Sequence, residues 1–190
     1  YDGPYSPWDT SICTSLSGVP PCLDDRSTER NEGPSGTDPA HRTRILGFRR
    51  HRVIIDGTQA AGGNGIGLQI FQGAHIEVAN LSFLHTRIMD PVTIEQSDDI
   101  YVHQVAGAYP DPRNTSDDNR MAFYIGDSTN VLIEESWAWG FGARYGVAFH
   151  GGNHNIARRN VVRYDGSYDG QPRAGVVLYS EDQSIAENNI

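Results

Sequence analysis

The chain has no lysine. All 15 of its basic residues are arginine, set against 24 acidic residues, for a net charge of −9 over 190 residues. An ammonium base, a Schiff base and a phosphate-loop lysine are therefore excluded from this segment. A concentrated positive field is missing as well, which argues against nucleic acid and against an anionic membrane surface as partners. No apolar run approaches the roughly 20 residues that a membrane-spanning helix needs, so no membrane insertion is expected. No charged leader followed by an apolar stretch is present, and a signal peptide would lie outside the sequence. Cysteine is scarce too. Cys13 and Cys22 are the two present, close together in an irregular stretch, and they read as a local disulfide formed in an oxidising compartment.

What is present divides at about residue 42. Residues 1–42 are rich in Pro, Gly, Ser, Thr and Asp and lack periodicity, which predicts an irregular N-terminal insertion. From Thr43 onward, short β-branched runs alternate with polar turns and helical patterning is nearly absent, so internal repeats are the first thing to look for. Five segments align: GLQIF from Gly67, PVTIE from Pro91, AFYIG from Ala122, GVAFH from Gly146 and GVVLY from Gly175. In each, the second and fourth residues are apolar, so they share one face of a strand. A second run follows, starting at Ile76, Ile100, Val131, Ile156 and Ile185, and a polar residue lies four positions on: Asn80, Gln104, Glu135, Asn160 and Asn189. A weaker copy runs through Ile45, Leu46 and Val53 to Asp56.

One such repeat cannot bury its own apolar side chains. Stacked at the strand spacing of about 4.8 Å, successive repeats form a continuous core. The prediction is an all-β solenoid whose coils each hold three short strands, over residues 43–190. Its polar corner residues would form a hydrogen-bonded ladder, a structural role. An uncapped coil exposes strand edges, so the stack is expected to continue past both ends of the sequence.

The stacked segments, with NHNIARRNVV and DQSIAENNI among them, resemble the right-handed parallel β-helix superfamily of pectate-lyase-like and related carbohydrate-active proteins. The resemblance implies a saccharide groove on the outward face of the first sheet. On this sequence that face carries Gln69, Thr93, Tyr124, Ala148 and Val177, and beside them Phe71, Glu95, Gly126, His150 and Tyr179. Glu95 and His150 would stand two coils, or roughly 10 Å, apart and flank a sugar unit. Insertions at 109–120 and 165–173 border the same face and bring Arg120 and Arg173 to it, while Arg144 and Tyr145 precede the fourth segment.

The candidate catalytic residues are thus Glu95, His150 and Arg144, with Tyr124, Tyr179, Phe71, Arg120 and Arg173 as candidate substrate contacts. Asp117 and Asp118, like Asp98 and Asp99, are candidate Ca²⁺ ligands, although Asp also suits turns. Neither the GHG nor the RIK signature of polygalacturonase-like enzymes occurs. The functional expectation is a secreted protein that binds a polysaccharide; if it is an enzyme, the expected class is a polysaccharide lyase or a glycoside hydrolase. The alternative is a solenoid with only a structural or adhesive role.

Overall fold

The computed structural model describes residues 35–48, 53–56, 67–84, 86, 90–108, 121–140, 144–164 and 174–190. Cys13, Cys22, Asp117, Asp118, Arg120 and Arg173 lie outside the described residues. The chain enters the sheets through β1 (Thr43–Leu46) and β2 (Val53–Asp56). Four coils of three strands follow. They are β3 (Leu68–Phe71), β4 (Ala74–Ala79) and β5 (Leu81–Leu84); β6 (Val92–Glu95), β7 (Asp98–His103) and β8 (Ala106–Ala108); β9 (Met121–Gly126), β10 (Leu132–Glu134) and β11 (Trp137–Gly140); and β12 (Tyr145–His150), β13 (Ile156–Arg158) and β14 (Val161–Tyr164). Finally β15 (Ala174–Tyr179) and β16 (Ile185–Glu187) begin the next coil.

Strands at equivalent places in successive coils pair in parallel. The first sheet has the order β3, β6, β9, β12, β15; the second β1, β4, β7, β10, β13, β16; the third β2, β5, β8, β11, β14. The described residues therefore form an all-β parallel solenoid, as the repeat pattern predicts. Period-two alternation sets its core: Leu68, Ile70, Val92, Ile94, Phe123, Ile125, Val147 and Phe149 point inward from the first sheet and are at most 1% exposed. Ile76, Val78, Ile100, Val102, Val131 and Ile133 do the same from the second, and Phe83 from the third. The segment before β1 is tied to this stack, since Gly36 N–H donates to the Ala74 carbonyl and Ser35 Oγ accepts from Ala74 N–H.

The bends between sheets have a fixed form. Every described residue with positive φ falls in one of three stacked columns: Gln72, Gln96, Asp127, Gly151 and Ser180; His75, Asp99, Asn130, His154 and Gln183; and Asn80, Gln104, Glu135, Arg159 and Asn188. A left-handed residue turns the chain sharply, at about 1–2 kcal/mol for a side chain other than Gly. The backbone bonds are nevertheless kept. Gln72, Gln96, Asp127 and Gly151 each donate N–H to the coil above, to the carbonyls of Glu95, Gly126, His150 and Tyr179 respectively.

The third column corrects the sequence reading of the ladder. Asn80, Gln104 and Glu135 are exposed left-handed corner residues, whereas Asn160 and Asn189 occupy the next, inward column above Leu81, Val105 and Ser136. The hydrogen-bonded ladder is therefore Ser136, Asn160 and Asn189. Ser136 Oγ accepts from Val105 N–H, Asn160 Oδ1 from Ser136 N–H and Asn189 Oδ1 from Asn160 N–H. A second, unforeseen ladder runs up the opposite corner, where Ser97 Oγ accepts from Gly73 N–H and Ser128 Oγ from Ser97 N–H. Asn155 Oδ1 accepts from Val131 N–H and Ser184 Oγ from Asn155 N–H.

On the outer face of the second sheet, charged side chains pair up the stack. Arg44 and His103 both reach Glu77, His103 stacks on Tyr101 at 4.3 Å, and Tyr101 Oη donates to Glu134 at 2.7 Å. Arg158, which stands in register with Glu187, donates instead to Glu134 in the coil below at 2.7 Å, and Arg159 also reaches Glu134. Asp99 is held by Arg42 and His75, and Asp98 accepts from Asn130, so both members of this aspartate pair have partners within the stack. Burial pushes the Glu134 carboxyl upward, but the hydrogen bonds from Tyr101 and Arg158 and the two guanidinium charges outweigh it and hold the pKa below the usual carboxylate value.

Two predictions follow from these contacts. Asn160→Ala strands buried Ser136 N–H and removes a donor from the Ile133 carbonyl, and is expected to cost about 1–3 kcal/mol in urea unfolding, whereas Gln104→Ala at the exposed corner changes stability by less than about 0.5 kcal/mol. Because the folded-state pKa of Glu134 is depressed, its contribution is complete above its unfolded value of 4.5 and is lost as pH falls through the folded value. Glu134→Gln should therefore flatten the fall of the urea midpoint below about pH 4.5, and an unchanged acid slope would refute the assignment.

Candidate functional site

The outward face of the first sheet carries two columns in register: Gln69, Thr93, Tyr124, Ala148 and Val177, and Phe71, Glu95, Gly126, His150 and Tyr179. These columns match the sequence reading, but the face is not uniformly open. Gln69 and Thr93 are only 1% and 2% exposed, so the surface is covered over β3 and β6. It opens over β9, β12 and β15 as a cleft of about 500 Å³, lined by Tyr124, Arg144, His150 and Tyr179 among others. The cleft thus brings together four of the residues expected from the sequence. Phe71 and Glu95 are half-buried members of the row and lie outside the lining.

The rings in this cleft follow the coil spacing. His150 and Tyr179, directly opposite each other on β12 and β15, stack with centroids 4.6 Å apart and planes 21° apart. Tyr124 approaches His150 from the coil below at 6.4 Å and a tilt of 51°. Arg144 lies at the edge of β12 with its guanidinium 4.8 Å from the centre of the Tyr145 ring. Asp90, which the sequence reading did not single out, also lines the cleft, and its Oδ1 accepts from Met121 N–H at 2.8 Å to anchor the start of β9.

The position of Tyr124 depends on a gap in the outer row. Where the other coils place Phe71, Glu95, His150 and Tyr179, the third places Gly126. A Cβ on Gly126 would stand 2.7 Å from Tyr124 Oη and 3.0 Å from Cζ. The missing side chain therefore lets the phenol lie over Gly126, in the row between Glu95 and His150. Burial pushes the Tyr124 phenol above its ordinary pKa of 10.0, and the carboxylates of Glu95, Asp127 and Asp90 push it the same way. Tyr124 accordingly stands as a protonated donor at neutral pH. AFYIG, the one segment of the five to end in Gly, was the available sequence signal for this arrangement.

Among the described residues, no group of three or more His, Cys, Asp or Glu side chains could hold a metal ion. Asp117 and Asp118 fall outside those residues, as do Arg120 and Arg173 of the two insertions. Comparison with protein-family models, curated proteins and solved structures finds no match to the chain.

Gly126→Ala is expected to swing the phenol out of the row at little cost in stability, because the displaced atoms are the far end of one side chain. The Tyr124 titration, read as the ultraviolet difference between proteins with and without Tyr124→Phe, should fall toward 10.0 in the Gly126→Ala background. A titration that stays raised there would show that the gap does not position the ring.

Proposed function

We propose that the protein binds an acidic polysaccharide in the first-sheet cleft and cleaves it by β-elimination. The observation that carries this reading is the meeting, in one cleft, of a stacked His150–Tyr179 pair, a protonated phenol and a guanidinium. Aromatic faces stack on the apolar faces of sugar rings, and a row spaced by coils suits a chain lying along the solenoid axis. Hydrolysis is supported less well. It needs two carboxyl groups across the scissile bond, and among the described residues that line the cleft Asp90 is the one carboxylate.

Elimination uses what the cleft contains. A ring nitrogen of His150, acting as general base, takes the proton from the carbon beside the uronate carboxylate. Arg144 pairs with that carboxylate and seats the acidic ring in the cleft, a binding role that it fills in the ground state as well as during the reaction. A planar guanidinium suits this role better than that of a base. The C–H electron pair becomes the new C=C bond, the C–O pair leaves with the glycosidic oxygen, and Tyr124 supplies that oxygen with a proton. Solvent then returns the proton from His150 to Tyr124. Glu95 acts from outside the lining, as one of the charges that, after burial, push the phenol's pKa up. A secreted setting belongs to this reading, because polysaccharides of this class are extracellular.

Incubation with polygalacturonate, alginate and chondroitin sulfate should generate the ultraviolet absorbance of an unsaturated uronate. His150→Ala and Tyr124→Phe should each lower kcat by about 10²–10⁴-fold, while Arg144→Ala mainly weakens selection for charged over neutral chains. New reducing ends on neutral glycans without that absorbance would replace elimination by hydrolysis. Absence of both activities, together with no binding on a glycan array, would favour the structural or adhesive role.

A further inference from the structure

The third sheet has its own outward face, and its residues do not overlap the first-sheet cleft. Phe83 and Ala138 point inward at 0% and 2% exposure, so alternation turns Trp137 and Trp139 outward from β11. Trp137 stands in register with Ala106 below and Val161 above, and Trp139 with Ala108 below and Arg163 above. Two indoles thus rise beside a floor of methyl groups, and Trp137 remains 40% exposed. Together Trp137, Ala138, Trp139, Val161 and Arg163 line a trough of about 370 Å³.

The chemistry of this trough selects its occupant. Residues two apart on a strand are about 6.6 Å apart, so the two indoles stand side by side as one aromatic platform on which the rings of a linear sugar chain can stack. Among the described lining residues Arg163 is the one that carries a charge, and it is positive in a protein of net charge −9. A planar guanidinium beside an aromatic face pairs with a carboxylate or sulfate held on a stacked ring. A globular partner would instead require about 800 Å² of complementary surface, far more than a two-indole trough provides.

We propose that Trp137, Trp139 and Arg163 form a second binding site, on the third sheet, for an acidic polysaccharide, with sugar rings stacked on the indoles and an anionic substituent on Arg163. The site does not depend on the first-sheet reading, and either can fail alone.

The chain's three tryptophans are Trp8, Trp137 and Trp139, so a Trp8→Phe protein emits only from the trough, and the described lining of the first-sheet cleft contains no tryptophan. Titration of that protein with oligomers of polygalacturonate, alginate, hyaluronan and chondroitin sulfate should give a saturable change in tryptophan emission with at least one of them, and none with cello-oligosaccharides. Arg163→Gln, at an exposed position, should weaken binding about tenfold or more and reduce its salt dependence. Tyr179→Ala and His150→Ala should leave the emission change intact even where they abolish first-sheet activity. No saturable change with any acidic oligomer would overturn the proposal. So would unaltered affinity by calorimetry in the Trp137→Ala, Trp139→Ala double variant, or concentration-dependent self-association removed by Trp137→Ala, which would assign the face to a second copy of the chain.

Discussion

The structure depends on register at the bends. Each coil turns through left-handed residues at three fixed places, and the same three places recur directly above one another from coil to coil. Fourteen of these positions hold a residue other than glycine, each adopting a backbone form that its Cβ disfavours. The compensation is collective. A bend aligned with the bends above and below keeps its N–H in the inter-coil ladder, as Gln104 N–H does with the Glu134 carbonyl and Arg159 N–H with that of Glu187. A coil out of register would retain the backbone strain and lose those bonds, leaving buried polar groups without partners.

The same register converts a list of residues into surfaces. Because each strand lies over its counterpart, a side chain acquires neighbours about 4.8 Å away that come from other repeats. On the second sheet this places Glu134 within reach of Tyr101, Arg158 and Arg159, and the pairs satisfy charge in a face rich in carboxylates. On the first sheet it sets His150 face to face with Tyr179. Gly126 shows what one vacancy in such a column does. The phenol of Tyr124 fills it from the adjacent column, entering the row of groups at the fifth segment positions and acquiring a more acidic neighbourhood.

Much of this was legible in the sequence, because period-two alternation at repeated intervals is a direct record of which side chains face the core. The strands of the first sheet, their outward columns and even the weak copy at β1 and β2 follow from it. The ladder was misread for a physical reason. Val131 and Ile156 both look like strand starts, yet Val131 aligns with Asn155 and Ile156 with Leu132. Asn155 is fully buried because its amide is satisfied, with Nδ2 donating to the Ser128 carbonyl and to Glu181. Aligning by hydrophobicity alone slides that coil by one residue. The restricted opening of the cleft was illegible for a different reason, since burial of Gln69 and Thr93 on an outward face is a property of tertiary cover rather than of strand periodicity.

The two aromatic surfaces are linked by where they sit along the stack. The coil that contributes Tyr124 through β9 contributes Trp137 and Trp139 through β11, and the next coil contributes His150 through β12 and Arg163 through β14. Both surfaces thus draw on the same two adjacent coils, on different sheets, and the cleft extends one coil further through Tyr179 of β15. The aromatic rings of both rest on paired strands, so their spacing is set by inter-coil hydrogen bonds, while Asp90 and Arg144 enter the cleft from the connections before β6 and β12. A slip between these two coils would separate His150 from Tyr124 and Trp139 from Arg163 together. The Asn160 and Asn155 ladders, which bind these coils to each other at two corners, therefore hold the geometry of both faces although neither amide lines the cleft or the trough.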